Sequence, residues 1–161
     1  MVEIKPNNNE TYYSHADLKV FLAGSIEMGL AEDWQSRIAR EFSDMENLVL
    51  FNPRRDDWDS SWEQKESNLQ FNSQVNWELS KLDECDIIFM YFSPGTKSPI
   101  SLLELGLYAE SGKDFIVVCP PEFWRKGNVD IVSTKFNLRR FDSIESGIGC
   151  LQSLIFLHQN C

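Results

Sequence analysis

Short runs of consecutive apolar residues alternate along this chain with stretches in which apolar positions recur three or four apart. Leu18–Ala23 reads as a buried strand that ends in Gly24-Ser25, and Leu48–Phe51 as a second strand halted by Asn52-Pro53. Asp86–Phe92 is the clearest strand, because its unbroken apolar run suits a central position covered on both faces. Asp114–Cys119 reads as a fourth strand stopped by Pro120-Pro121, and Phe136–Phe141 as an edge strand. Between them the spacing predicts helices over Ala31–Glu46, with Trp34, Ile38 and Phe42 on one face, and over Leu69–Glu84, with Val75, Leu79 and Leu82 inward. Pro99–Ser111 has proline in its first turn and Gly112 past its end, the usual helical asymmetry, and a last helix is expected over Asp142–Leu157.

Strand–helix alternation of this kind predicts an α/β fold, a parallel sheet with helices on both faces. Residues 1–16 are polar and Asn-rich and are expected to form a flexible N-terminal arm, leaving 17–161 as a single domain. In such sheets ligands bind beyond the carboxyl ends of the strands, where strand order reverses. The segments that follow the first three apolar strands are therefore the ones to search.

Composition narrows the chemistry. Fifteen Lys and Arg against 25 Asp and Glu leave a net charge of −10, which argues against a nucleic-acid polymer or an anionic membrane as partner. The longest apolar run, Ile87–Phe92, is far short of a membrane span, and the MVEIKPNNNE start has no apolar signal core, so a cytoplasmic location is expected. The four cysteines form no CxxC pair and the two histidines sit near the termini, so no metal site is expected. Carboxylates are left to carry the chemistry.

Four segments offer it. Gly24, Ser25 and Ile26 could bring backbone N–H groups close to a sugar or phosphate, though a plain turn fits them as well; Gly24 and Gly29 do not have dinucleotide-binding spacing. Residues 52–62 crowd Arg54, Arg55, Asp57, Trp58 and Trp62 into one loop, suited either to gripping an anion and stacking on a base or to a solvated cover over the core. Gln74 and Glu78 are four apart on a helix and could read the edge of a nucleobase, or simply form a polar face. Ser98, Ser101 and Glu104 open the helix after the central strand. Flanked by leucines, Glu104 is either a buried functional carboxylate or part of that helix's polar stripe.

Together these residues resemble the nucleoside 2-deoxyribosyltransferase family. The likeness is carried by Gly24-Ser25-Ile26, Asn52-Pro53-Arg54-Arg55, Trp77-Glu78, the Ser98–Gly106 segment and Asn128, from about Val20 to Ile131, and is greatest for the nucleoside 2-deoxyribosyltransferase-like branch. It implies a flavodoxin-like three-layer sandwich with a five-stranded parallel sheet, and transfer of deoxyribose between bases through a covalent sugar on Glu104. It also implies that Glu78 stands near the base where the family has Asp, and that Asn128 reaches a neighbouring subunit's site in a homo-oligomer. The partners are then a small deoxynucleoside or deoxynucleotide and a free nucleobase, with no cofactor. Six residues before Glu104 the transferases carry Asp and this chain carries Ser98, which is similar to 2′-deoxynucleoside 5′-monophosphate N-glycosidases. A hydrolase acting on monophosphates, or a nucleotide-binding module without catalysis, are the competing expectations.

Overall fold

The computed structural model describes residues 1–6, 12–26, 32–55, 59 and 61–160. Eleven elements follow one another: β1 (Val2–Ile4), β2 (Leu18–Gly24), α1 (Trp34–Glu41), β3 (Leu48–Phe51), α2 (Leu69–Glu84), β4 (Ile87–Tyr91), α3 (Pro99–Tyr108), β5 (Asp114–Val118), α4 (Lys126–Lys135), β6 (Arg139–Phe141) and α5 (Ile144–Gln159). All strand pairings are parallel, in the order β1-β3-β2-β4-β5-β6.

The period of two along each strand divides the core into two layers. Val20, Leu22, Leu50, Ile87, Phe89, Ile116 and Val118 pack with Trp34, Ile38 and Phe42 of the α1 region and with Ile148, Leu151 and Ile155 of α5. Phe21, Ala23, Val49, Phe51, Ile88, Met90 and Val117 pack on the other face with Leu82 of α2, Leu105 of α3 and Val129 of α4. The three-layer α/β arrangement is thus present, but the sheet has six strands and not the five expected. The sixth is β1, drawn from within the polar stretch 1–16; Val2, Glu3 and Ile4 pair with Val49, Leu50 and Phe51. Three residues carry too little pattern to register as a strand.

Other differences have local causes. The side chain of Asp33 accepts the N–H of Ser36 and so caps α1 at Trp34; the expected start at Ala31 lies outside the described residues. In α2 Leu82 is buried, Val75 is half-buried and Leu79 is 36% exposed, so only one of the three expected inward residues is fully so. Helix α4 had no expectation behind it: KGNVDIVSTK buries only Val129 and Ser133 and leaves Ile131 exposed, which erases the helical period. Cys85 and Cys119 are buried within the core.

The two innermost strands meet at a single tight point. Gly24 has φ of 132°, and a Cβ placed on it would stand 2.2 Å from the Tyr91 carbonyl oxygen. The glycine is needed for strand-to-strand approach at the sheet's carboxyl edge. Gly24→Ala should therefore cost about 3 kcal/mol or more, roughly 6–12 °C of melting temperature for a chain this size. Thermal unfolding would show it, and a loss under about 2 °C would mean that the strands can part to make room.

Candidate functional site

Strands β2 and β4 are neighbours whose onward connections lead to opposite sides of the sheet, which makes the space beyond their carboxyl ends the crevice of the fold. Ser25 is the first residue past β2 and is 1% exposed. Its N–H bonds the Tyr91 carbonyl at 2.9 Å, its Oγ accepts the Ser93 N–H at 2.8 Å, and its carbonyl accepts Trp34 Nε1–H at 2.9 Å. Beyond β4 the chain turns through Gly95, at φ of 78°, and reaches Ser98 in the left-handed conformation at φ of 45°, just before Pro99 opens α3.

That turn gathers three hydroxyls. Ser25 Oγ lies 2.6 Å from Ser98 Oγ and 2.9 Å from Thr96 Oγ1, and the latter two are 2.9 Å apart. Thr96 Oγ1 donates to the Ser93 carbonyl at 2.8 Å, which anchors the cluster to the turn. Hydroxyls rotate and can both donate and accept, so the group is suited to an oxygen-rich ligand. Thr96 was missed in the sequence, where 93–96 reads only as a strand breaker. Hydroxyl residues at 96, 98 and 101 around a helix start were the available clue.

The carboxylates arrive from two helices. Helix α3 turns Ser101, Glu104 and Leu105 inward and leaves Ile100, Leu103 and Leu107 exposed, so Glu104 is on the buried face and the polar-stripe alternative fails. Glu104 is 8% exposed, and among the described residues no hydrogen bond reaches its carboxyl. Burial, and then the nearby charge of Glu78, push it up to about 8. On α2 the Gln74 amide nitrogen donates to the Pro53 carbonyl at 3.0 Å and to Glu78 Oε1 at 2.7 Å. Gln74 is buried, not part of an exposed polar face. Burial pushes the Glu78 carboxyl up to about 7 against the opposing pull of Gln74. Two such groups titrate as a pair that holds one proton between about pH 7 and 8, more often on Glu104.

The remaining expected residues divide. Gly24 serves the contact with Tyr91, and Ile26 is half-buried beside Ser25. Arg54 stands 3.7 Å from Asp33 and donates to the Glu32 carbonyl at 3.4 Å, while Arg55 lies over the Trp62 ring at 4.9 Å. Among the described residues the two guanidinium groups have different neighbours. Asp57 and Trp58 lie outside the described residues. Asn128 is exposed on α4, lining a groove with Leu102, Leu105, Gly106 and Arg125, and among the described residues no hydrogen bond ties it to either carboxyl. Among the described residues no three His, Cys, Asp or Glu side chains converge as metal ligands would.

A buried carboxyl without a donor destabilises the fold that holds it. Glu104 binds its proton more tightly folded than unfolded, so its stability contribution is complete below about pH 4.5 and is lost as pH rises through about 8. Glu104→Gln should accordingly melt higher than the parent at pH 9, by roughly 5 °C, with the gap closing towards pH 5. Melting curves at both pH values would test this; a gap independent of pH would contradict it.

Comparisons with known proteins bear on the fold and the family. A conserved protein from Enterococcus faecalis V583, known from its crystal structure, shares the fold with a TM-score of 0.58, 11% identity, and coverage of 83% of this chain and 96% of that one. No curated protein matches the chain significantly. The family described as "Nucleoside 2-deoxyribosyltransferase like" matches residues 17–123, from β2 through the hydroxyl cluster and both carboxylates to just short of α4. The chain belongs to the nucleoside 2-deoxyribosyltransferase-like family.

Proposed function

We propose that this protein cleaves the N-glycosidic bond of 2′-deoxynucleosides and transfers the deoxyribose to a second base. The supporting observation is Glu104: a buried carboxyl with no hydrogen-bond donor among the described residues, within electrostatic reach of Glu78 beside the crevice. A buried acid raised by burial and a neighbouring carboxylate suits a nucleophile better than a structural role. One Glu104 carboxylate oxygen attacks C1′, and the bond from C1′ to the base nitrogen breaks through an oxocarbenium-like transition state. The electron pair leaves on the base, which takes a proton from Glu78; the reacting form is the minor one-proton form of the pair, with Glu104 ionised and Glu78 protonated. An incoming base then attacks C1′ and displaces Glu104, returning its proton to Glu78. Gly24, Ser25, Ile26, Gln74 and Ser98 surround the substrate in this reading, with Arg54, Asp57 and Trp58 from the 52–62 loop.

The hydroxyl cluster favours a second reading, hydrolysis of 2′-deoxynucleoside 5′-monophosphates. Ser25, Thr96 and Ser98 can donate to a phosphate, where an aspartate in place of Ser98 would repel it. Water then replaces the acceptor base in the second step. A homo-oligomer belongs to the same proposal: Ile100, Leu103 and Leu107 form an exposed apolar stripe along α3, next to the groove that holds Asn128.

Base release from deoxynucleosides and from their 5′-monophosphates, with and without free acceptor base, separates transferase, hydrolase and binder in one assay. We expect release with transfer, a fall of about a thousandfold or more in Glu104→Gln, and a bell-shaped kcat/KM with limbs near 7 and 8, where the pair holds one proton. Undiminished turnover in the variant would remove Glu104 from the chemistry. Tight nucleotide binding without release would leave only the binding module. Sedimentation should show particles larger than one chain, shifted towards single chains by Leu103→Glu; a parent that sediments as single chains would contradict the oligomer.

A further inference from the structure

Ser98, Ser101 and Glu104 follow one another at steps of three along α3, and they are 6%, 4% and 8% exposed. The same side continues to Tyr108, whose hydroxyl donates to Asp83 Oδ1 of α2 at 2.8 Å. Helices α2 and α3 both join parallel strands, so both run away from the carboxyl edge of the sheet. The Tyr108–Asp83 bond therefore closes the far end of the gap between them. One turn nearer the crevice Glu104 feels the charge of Glu78, and one turn nearer still stands Ser101. A ligand that comes down from the hydroxyl cluster to Glu104 passes over it.

Ser98 shares its hydroxyl with Ser25 and Thr96. Ser101 has no such company: among the described residues no hydrogen bond reaches its Oγ. Nor is that oxygen sealed. The unpartnered side-chain atoms that solvent cannot reach are, among the described residues, Gln35 Nε2 and Oε1, Gln74 Oε1 and Ser133 Oγ. An open hydroxyl on a buried side chain, facing a gap that leads to a carboxylate, is fitted to a ligand's own hydroxyl.

Stereochemistry says which one. A nucleophile that displaces a base from the β face of C1′ approaches the sugar from the α face, so the α face lies on α3. Helical side chains lean towards the helix N-terminus, which aims the Glu104 carboxyl at the turn of Ser101. The two Cβ atoms of such a pair are about 5–6 Å apart. On the α face of a 2′-deoxyribose the one hydroxyl is that on C3′. We propose that Ser101 holds the 3′-hydroxyl of the sugar and selects substrates that carry it. The assignment rests on the glycosyl-transfer reading, which gives Glu104 the attack on C1′. Ser101 touches the sugar and takes no part in bond cleavage.

The test uses the full chain. The 2′-deoxynucleosides of the four DNA bases are compared with their 2′,3′-dideoxy counterparts, free and as 5′-monophosphates. Base release is followed in the parent, and affinity is measured by calorimetry in Glu104→Gln, where turnover does not interfere. We expect the 3′-hydroxyl to raise affinity and kcat/KM by about tenfold or more, and both ratios to fall towards one when Ser101→Ala is added. A 3′-hydroxyl slows uncatalysed cleavage, so a kcat/KM that favours it comes from the protein. Equal affinity for the two sugars overturns the assignment, as does a preference that survives in a folded Ser101→Ala. Should that variant fail to fold, Ser101→Cys, close in shape with a weaker hydrogen bond, takes its place. Base release without a 3′-hydroxyl preference would sink this assignment alone. A preference in affinity that Ser101→Ala removes, with no base released from any substrate, would sustain the sugar contact while sinking the transfer reaction. Failure of every nucleoside and nucleotide to bind would overturn both.

Discussion

The contact between Gly24 and the backbone of Tyr91 fixes the rest of the crevice. A side chain at residue 24 has no room, so β2 and β4 stay in register up to their carboxyl ends, and Ser25 emerges bonded to Tyr91, Ser93 and Trp34 at once. From that anchored serine the hydroxyls of Thr96 and Ser98 take their places, and Ser98 in turn starts the helix that carries Glu104. A distance between two backbones thus propagates through one turn to the orientation of a carboxylate on α3.

The ion pairs among the described residues lie at or near the surface, where each contributes little to stability. The Lys81–Glu84 pair, joined by Tyr13 over Phe51, ties the 12–16 stretch to α2, and Lys126 links Asp130 and Asp142 across α4. Glu78 and Glu104 contrast with these. Burial raises the cost of both and the charge of Glu78 adds to that of Glu104, and the fold sustains them because the two-layer core around the central strands stabilises it independently of them. Polar atoms left unsatisfied beside reacting groups are where a fold gives up stability for function.

The alternation of strands and helices, the parallel sheet and the search region beyond the strands were all legible in the chain, because a strand buried on both faces has to be apolar throughout and a helix on a sheet has to be apolar at its own period. Trp34, Ile38 and Phe42 show the second rule, and Ile87–Tyr91 the first. What escaped was short or weakly patterned: three residues of β1 that gain their strand character only by pairing with β3, and α4, whose Ile131 faces outward.

At the site, residue types were legible and relationships were not. Local sequence placed Glu104 among leucines and Glu78 one helical turn from Gln74, but favoured a bland alternative for each. Only the folded chain buries Glu104, brings Glu78 within reach of it from a different helix, and orients Gln74 through the carbonyl of Pro53, 21 residues away. The sequence by itself determined the layers of this protein and the acids available to it, since periodicity and composition are properties of neighbours along the chain. Which acids face each other, which hydroxyls touch and which amide oxygen is left unpartnered were decided by tertiary structure, because those depend on distances between segments that no local pattern encodes.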